Sequence, residues 1–164
     1  MKLTVTRRDG SEHAVLFDDP DANAVLARTW HIRVDPKTPD LLYARTMIRN
    51  LDGSETTLTM HQLLMGELGT DHINHDGLDN RRANLRPATP HQQQGNRRPQ
   101  PGYSSRYKGV HWKPSRDRWR AEISVGNRSR TLGSFRSEDD AAHAYDQAAL
   151  AVWGEFALLN FPPE

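Results

Sequence analysis

Cysteine is absent from this 164-residue chain, which excludes disulfides, thiolate zinc sites and cysteine nucleophiles. Aromatic residues make up only 7% and hydrophobic residues of all kinds 35%. With a mean hydropathy of -0.82, that is lean for one large core and suits one ordinary domain or two small ones. No apolar run approaches the ~20 residues that cross a bilayer, and the start Met1-Lys2-Leu3-Thr4 has no apolar stretch of a secretory signal behind it. The expectation is a chain with no membrane partner, not secreted, working in the cytoplasm.

Charge of one sign is missing from one whole stretch and scarce in another. Residues 137–164 hold no Lys or Arg against 6 Asp and Glu, whereas residues 97–136 hold 11 against 2, a balance of +9. Residues 1–96 hold 11 against 13, so the net charge of +1 conceals a basic block. Such a block reads as an electrostatic footprint for a polyanion or as a solvated basic face.

Two prolines, a glycine and two serines fall within Arg97-Arg98-Pro99-Gln100-Pro101-Gly102-Tyr103-Ser104-Ser105. With no apolar period, this stretch is expected to be a linker (97–105) between a first domain at 1–96 and a second at 106–162. The first ~60 residues read as a β-meander. Ala14-Val15-Leu16-Phe17 stops at Asp18-Asp19-Pro20-Asp21, and Trp30, Ile32 and Val34 alternate with His31 and Arg33. Runs at 41–48 and 56–60 flank a hairpin turn, Asn50-Leu51-Asp52-Gly53-Ser54. This part offers no chemistry and is expected to be scaffold or an extra surface for the polyanion.

The second domain predicts three strands, at 107–113, 118–125 and 128–132, with a turn at 114–117 and the hairpin signal Gly126-Asn127. Ser137 then caps a helix whose first turn is Glu138-Asp139-Asp140, acids favoured by the helix dipole. Ala141, Ala144, Tyr145, Ala148 and Val152 fall at helical spacing, and Gly154 stands where a C-terminal cap would. On the second strand Trp119, Ala121, Ile123 and Val125 share one face, which the helix needs. Arg118, Arg120, Glu122 and Ser124 share the other, polar and uncovered, on a ribbon narrow enough for a major groove.

Five motifs occur here in order: Tyr107-Lys108-Gly109-Val110, Trp119-Arg120-Ala121-Glu122-Ile123, Leu132-Gly133-Ser134-Phe135, Ala141-Ala142-His143-Ala144-Tyr145-Asp146 and Leu159-Asn160-Phe161-Pro162. Residues 106–162 therefore resemble the DNA-binding domain of the Apetala-two / ethylene-response-factor family, which reads the major groove with its sheet. The resemblance implies double-stranded DNA as partner. It assigns DNA contacts to Lys108, His111 and Lys113, to Arg120, Glu122 and Ser124, and to Ser129 and Thr131. Arg118 shares the exposed face, and Arg128 and Arg130, of opposite parity, are left to phosphates. His111, Ser124, Ser129 and Thr131 stand where plant members carry arginine or tryptophan, so the plant target sequence does not transfer.

The first domain closes on Thr70-Asp71-His72-Ile73-Asn74-His75-Asp76-Gly77-Leu78-Asp79-Asn80-Arg81-Arg82-Ala83-Asn84-Leu85-Arg86-Pro87-Ala88-Thr89-Pro90-His91. A short strand carries Asp71 and His72, on opposite faces unless it twists, a polar loop follows, and a second strand is expected at 83–85. Thr89 and Pro90 then start a helix. A carboxylate, an imidazole and helix-borne amides suit metal-assisted hydrolysis, and hard oxygen ligands suit Mg²⁺. His72, His75 and His91 form an alternative histidine zinc site.

With Met60-His61-Gln62-Leu63-Leu64-Met65-Gly66 upstream, this run resembles the HNH nucleases, whose ββα-metal motif (core 70–97) cuts phosphodiesters. The resemblance assigns His72 as general base, Asp71 as metal ligand and Asn84 as the amide that holds hairpin and base. The third signature position, usually His or Asn, is Gln93, one methylene longer than asparagine; Asn96, one turn on, offers the same amide. Arg81, Arg82 and Arg86 are candidate phosphate clamps.

The expected fold is α+β: an N-terminal ββα-metal nuclease domain with a small β-meander, then a three-stranded antiparallel sheet packed on one helix. The expected function is a site-specific, Mg²⁺- or Mn²⁺-dependent DNA endonuclease that nicks or cuts duplex DNA. The pairing resembles the homing endonucleases of phages and mobile elements, in a phage-infected or bacterial cell near the nucleoid. It is expected to act as a monomer or weak homodimer. The rival is a sequence-specific DNA-binding regulator with an inactive nuclease domain, and a third reading is an RNA-binding sheet.

Overall fold

A computed structural model describes residues 1–35, 38–66, 69–99 and 102–162. The chain divides into two compact units, Met1–Ala88 and Thr89–Glu164. The division lies ahead of the proline-rich stretch at 97–105, of which residues 100–101 are outside the described ones. Helix α3 (Pro90–Gly95) is thus a part of the second unit.

In the first unit β1 (Lys2–Thr6) and β2 (Glu12–Leu16) form an antiparallel hairpin. A second sheet has the order β3-β4-β5, from His31–Asp35, Thr38–Arg49 and Glu55–Thr59. The turn between the last two strands uses Gly53 at φ 84°, where glycine alone is unstrained. The sequence reading leaves out three elements. They are β1, the helix at Met60–Met65 and α1 (Ala22–Leu26), which follows directly on a 3₁₀ turn at Asp19–Asp21. Acids and a proline that read as a stop instead start a helix, because proline's fixed φ suits a first helical turn. Helix α2 (Met60–Met65) begins with a capping box in which Thr59 and Gln62 each satisfy the other's backbone amide.

Val5, Val15, Phe17, Val25, Trp30, Ala44, Met60 and Leu64 form one core with Leu78 and Leu85. Phe17, Val15, Val25 and Met60 are fully buried, each contributing roughly 1.5–3 kcal/mol of transfer free energy. Leu78 and Leu85 belong to the small hairpin of β6 (Thr70–His72) and β7 (Leu85–Pro87). The meander is therefore the platform on which that hairpin is built. Its loop is also tied in through the backbone: Leu16 N–H donates to Leu78 O and Asn80 N–H to Leu16 O, both at 2.8 Å. The strand expected at 83–85 starts later. Residues Arg82–Asn84 make a 3₁₀ turn, since Asn84 spends its backbone carbonyl and its side chain on the loop.

In the second unit β8 (Val110–Lys113), β9 (Arg118–Val125) and β10 (Arg128–Phe135) form an antiparallel sheet in the order β10-β9-β8. The first strand is shorter than the expected 107–113 because Gly109, at φ +73°, turns the chain just before it. The third is longer than 128–132, and a bulge between Thr131 and Gly133 carries it on to Phe135. Residues 114–117 form a 3₁₀ turn ending in Asp117 at φ 51°. Helix α4 (Glu138–Trp153) is capped by the Ser137 hydroxyl, which accepts from the amides of Asp139 and Asp140, and ends at Gly154.

The inner stripe of α4 is Ala141, Ala142, Tyr145, Ala149 and Trp153, not the stripe through Ala148 and Val152. Val152 is exposed. The register rotates because the large indole of Trp153 takes the inner place and receives the close approach of Gly95 of α3. Val110 and Ala121 lie under the alanines of the helix, small residues that let helix and sheet approach closely.

Candidate functional site

The hairpin β6–β7 builds the first candidate centre. Asp71 pairs with Arg86 and His72 with Leu85 in strict antiparallel register, so the two adjacent side chains leave opposite faces. Asp71 accepts from Nε and Nη2 of Arg86 at 2.9 and 2.8 Å. This ion pair is largely shielded, with side-chain exposures of 15% for Arg86 and 10% for Asp71. His72 is 6% exposed, with Nε2 3.4 Å from Asn80 Oδ1. The His61 ring stands edge-on to it at 5.0 Å, and the Tyr43 ring lies at 5.8 Å.

Burial holds both imidazoles neutral. It lowers His72 from the usual imidazole range, against the opposing pull of the Asn80 hydrogen bond. His61 falls to about 4, from burial first and the neighbouring His72 second. A buried neutral imidazole is a proton acceptor at neutral pH, as a general base must be.

Asn84 fastens the loop from within. Its Nδ2 donates to Asp79 O at 2.7 Å, its Oδ1 accepts from Asn74 N–H at 2.9 Å, and its own carbonyl accepts from Ile73 N–H at 2.9 Å. The loop lies so close to β4 that a Cβ at Gly77 would meet the Tyr43 ring and the Leu42 carbonyl. His75 stands in the loop at φ 62°.

The three candidate phosphate clamps are each held by carboxylates of the same unit. Besides Arg86 on Asp71, Arg81 donates to both oxygens of Asp79 at 2.7 Å, and this guanidinium keeps the Asp79 carboxyl below its usual range. Arg82 donates to Asp21 at 2.7 and 3.1 Å. Among the described residues no three His, Asp or Glu side chains are grouped for a metal ion.

Gln93 and Asn96 lie in the second unit, the first within α3 and the second just beyond its end. Thr89 caps this helix, its hydroxyl accepting from Gln92 N–H. Its C-terminal end is anchored inside the unit. Gly95 O accepts from Leu158 N–H at 3.0 Å and from Lys108 Nζ at 2.5 Å, and the amide of Gln94 bonds with the backbone of Gly126. His91 lies 6.2 Å from the Trp153 ring.

The Lys108 ammonium also stands over the rings of Trp153 and Tyr145, at 5.7 and 5.9 Å. Burial lowers it to about 8. This lysine, assigned to DNA by resemblance, spends its amine inside the protein.

The outer face of the sheet carries most of the remaining candidates. Arg120 donates to Thr131 Oγ1 and lies 3.3 Å from Glu122, whose carboxylate is 3.5 Å from His111 Nε2. Ser124 and Ser129 share a hydrogen bond of 2.6 Å. These cross-strand contacts follow from the pairs Thr131 with Glu122 and Ser129 with Ser124. Arg118 donates to Asp117 O. Lys113, Arg116, Arg120, Thr131 and two serines, Ser115 and Ser134, line a polar concavity of about 420 Å³.

Sequence reasoning missed Ser115, Arg116 and Ser134 there, because a turn and a bulge bring them to the sheet face. It also missed the clamp behind that face. Asp146 accepts from Asn160 N–H, Asn160 Nδ2 and Phe161 N–H at 2.9–3.0 Å. Asn160 in turn bonds both backbone groups of Lys108. The motif Leu159-Asn160-Phe161-Pro162 was the available signal.

Residues 105–155 match the AP2 domain. Over 104 residues, 63% of this chain, the sequence is 33% identical to an uncharacterized HNH endonuclease of Acanthamoeba polyphaga mimivirus, spanning 53% of that protein. Over 59 residues, 36% of this chain, it is 49% identical to an AP2/ERF and B3 domain-containing protein of Oryza sativa subsp. japonica. Over 57 residues, 34% of this chain, it is 47% identical to dehydration-responsive element-binding protein 2A of Oryza sativa subsp. indica. The matches span about half of the viral protein and 16% and 20% of the two plant proteins. The chain therefore carries an AP2 domain at residues 105–155 together with similarity, across 63% of its length, to an HNH endonuclease.

Proposed function

We propose that the protein is a metal-dependent, site-specific DNA endonuclease of the homing type, targeted by the outer face of its C-terminal sheet. One observation carries this reading. A hairpin clipped by Asn84 presents a buried neutral imidazole, His72, next in sequence to a carboxylate, Asp71. The similarity to an HNH endonuclease and to AP2 proteins supports both halves of it.

The residues fit a hard divalent cation. The donor at Asp71 is a carboxylate that already carries a cation, the Arg86 guanidinium. Mg²⁺ or Mn²⁺ on Asp71, with water and phosphate oxygens, would stabilise charge developing on the phosphate. By resemblance alone, the amide of Gln93 is assigned to the same ion, with that of Asn96, one helical turn on, as its alternative. Asp71 and His72 leave opposite faces of a three-residue strand, so a shared phosphate requires that the strand twist to bring both to one edge. His72 then takes the proton of the attacking water at its ring nitrogen, and Asn80, His61 and Tyr43 hold that ring in one orientation. Cleavage on this pattern leaves a 5′-phosphate and a 3′-hydroxyl. A single copy is expected to nick and a dimer to cut both strands.

On the outer sheet face Arg120 is held by Thr131 and Glu122, which fixes its guanidinium on the face offered to base edges, where arginine reads guanine. The test is cleavage of supercoiled plasmids carrying a genomic or random library, with Mg²⁺, Mn²⁺ or EDTA, by the wild type and His72→Ala. Open-circle or linear product from the wild type with metal alone supports the endonuclease. Retention of duplex without any cleavage would assign the protein as a DNA-binding regulator instead.

A further inference from the structure

We propose that Arg97, on the stretch that leaves α3, is a further DNA ligand: it holds one backbone phosphate whose sugar enters a slot beside the outer sheet face. The inference rests on the reading of that face as the DNA-binding surface. It extends the surface to a residue ahead of the AP2 match, which begins at residue 105.

The slot has a volume of about 320 Å³ and lies within the second unit. His111, Glu122 and Ser124 line it from the sheet, and Gln94, Arg97 and Tyr103 line it from the chain ahead of the sheet. The first three belong to the candidate reading face, so slot and face are continuous. Just ahead of Arg97 the backbone is fastened. Gln94 exchanges two hydrogen bonds with Gly126, its Oε1 accepting at 2.9 Å and its Nε2 donating at 3.4 Å. Gly95 O accepts from Leu158 N–H and from Lys108 Nζ, and a Cβ at Gly95 would meet the Trp153 ring. These ties bind the end of α3 to the β9–β10 turn and to α4. Arg97 therefore stands on an anchored turn, not on a free tether.

The chemistry of the slot selects its occupant. Arg97 is exposed, and its charge adds to burial in lowering the Lys108 ammonium. Two cations that repel each other across one slot favour an anion there. Trp153 also lines the slot, and its buried Nε1 has no hydrogen-bond acceptor among the described residues, which favours an occupant rich in oxygen. An apolar peptide would answer neither demand. A sugar-phosphate answers both, with the rings of Tyr103 and Tyr107 to cover the deoxyribose. The stretch expected to be a linker thus begins with a residue that takes part in binding.

The test measures binding of the full chain to a labelled duplex, taken from selection against a randomised pool, by fluorescence anisotropy across a range of KCl concentrations. Arg97→Ala is expected to reduce the slope of log affinity against log salt by about 1 and to weaken unrelated duplexes by the same factor. Arg97→Lys keeps the charge and should keep the slope. Gln94→Ala, which unfastens the turn, should lose part of the slope by itself and nothing more in the Arg97→Ala background. Ethylation interference should show one phosphate whose ethylation weakens the wild type but not Arg97→Ala. Circular dichroism checks the fold of each variant, and Arg97→Gln replaces Arg97→Ala if the latter does not fold.

An unchanged slope in the folded arginine variant, or an ethylation pattern identical to that of the wild type, would overturn the inference. Lys113→Met and Arg120→Ala, measured alongside, separate its failure from that of the sheet. If they weaken binding and Arg97→Ala does not, the sheet reading stands and the role of Arg97 alone is lost. If none of the three changes binding, the sheet reading fails and takes Arg97 with it. A loss confined to Arg97→Ala would overturn the continuous surface, since the arginine would then act apart from the sheet.

Discussion

Asp71, His72, Asp79, Asn80 and Asn84 of the first unit are all 9% exposed or less, and each polar group there is met by another. Arg120, Glu122, Ser124, Ser129 and Thr131 of the second unit instead stand on an open sheet face, over a core made largely of alanines. A centre that moves a proton gains from burial, which fixes a ring and keeps it neutral. A surface that reads a duplex gains from exposure, because its donors must reach base edges and phosphates. The same contrast governs the arginines. Those of the hairpin are neutralised by carboxylates, whereas the basic block at 97–136 has 2 acids for its 11 cations.

The largest expected effect separates cutting from binding. His72→Ala should lower cleavage ~10²–10⁴-fold while gel-shift affinity for duplex stays within error. Loss of both together would break the comparison, since it would make His72 part of the DNA-binding surface.

Next comes the core under the sheet. Gly109→Ala puts a Cβ into the Tyr145 ring and the Glu122 carbonyl at φ +73°, and should cost about 2–3 kcal/mol in denaturant unfolding. A neutral result would mean that helix and sheet are not as closely packed as described.

On the open face, Arg120→Ala should weaken specific binding by ~1–3 kcal/mol and relax sequence preference. Selection from a randomised duplex pool reads both, and an unchanged consensus would remove Arg120 from base recognition.

Acid stability sharpens the contrast from the buried side. His61 is lowered from 6.5 to about 4 in the folded chain, so the unfolded chain binds the proton first. Its contribution is intact above pH 6.5 and is lost progressively as the pH falls towards 4. Thermal unfolding of His61→Gln against the wild type should show a flatter decline over that window. Identical slopes would mean that His61 does not titrate on unfolding.

The smallest effect distinguishes two lysines. Lys113→Met should reduce the slope of log affinity against log salt by about 1, as for a lost phosphate contact. Lys108→Met should leave that slope unchanged, because its ammonium is bound to Gly95 O. A slope change in Lys108→Met would return that lysine to the DNA face.

Much of the second unit was legible in the sequence, because its signals are local. The alternation of Trp119, Ala121 and Ile123, the Gly126-Asn127 turn and the Ser137 cap each act within a few residues, and the structure has them all. The stripe of α4 was read one register off, since nothing local tells that Trp153 turns inward. In the first unit the chain order of Asp71, His72 and Asn84 was plain, but not the company they keep. Tyr43 and His61 come from β4 and α2, and no spacing in the sequence foretells two rings beside His72.

By itself, then, the sequence determined the elements, the basic block and the chemistry-bearing residue types, because periodicity, turn residues and charge are properties of short stretches. The pairing of Asp71 with Arg86, the burial of His72 and the withdrawal of Lys108 onto Gly95 were decided only by tertiary structure. Each depends on which distant side chain arrives within hydrogen-bond reach, and that is set by how the strands register and how the core closes.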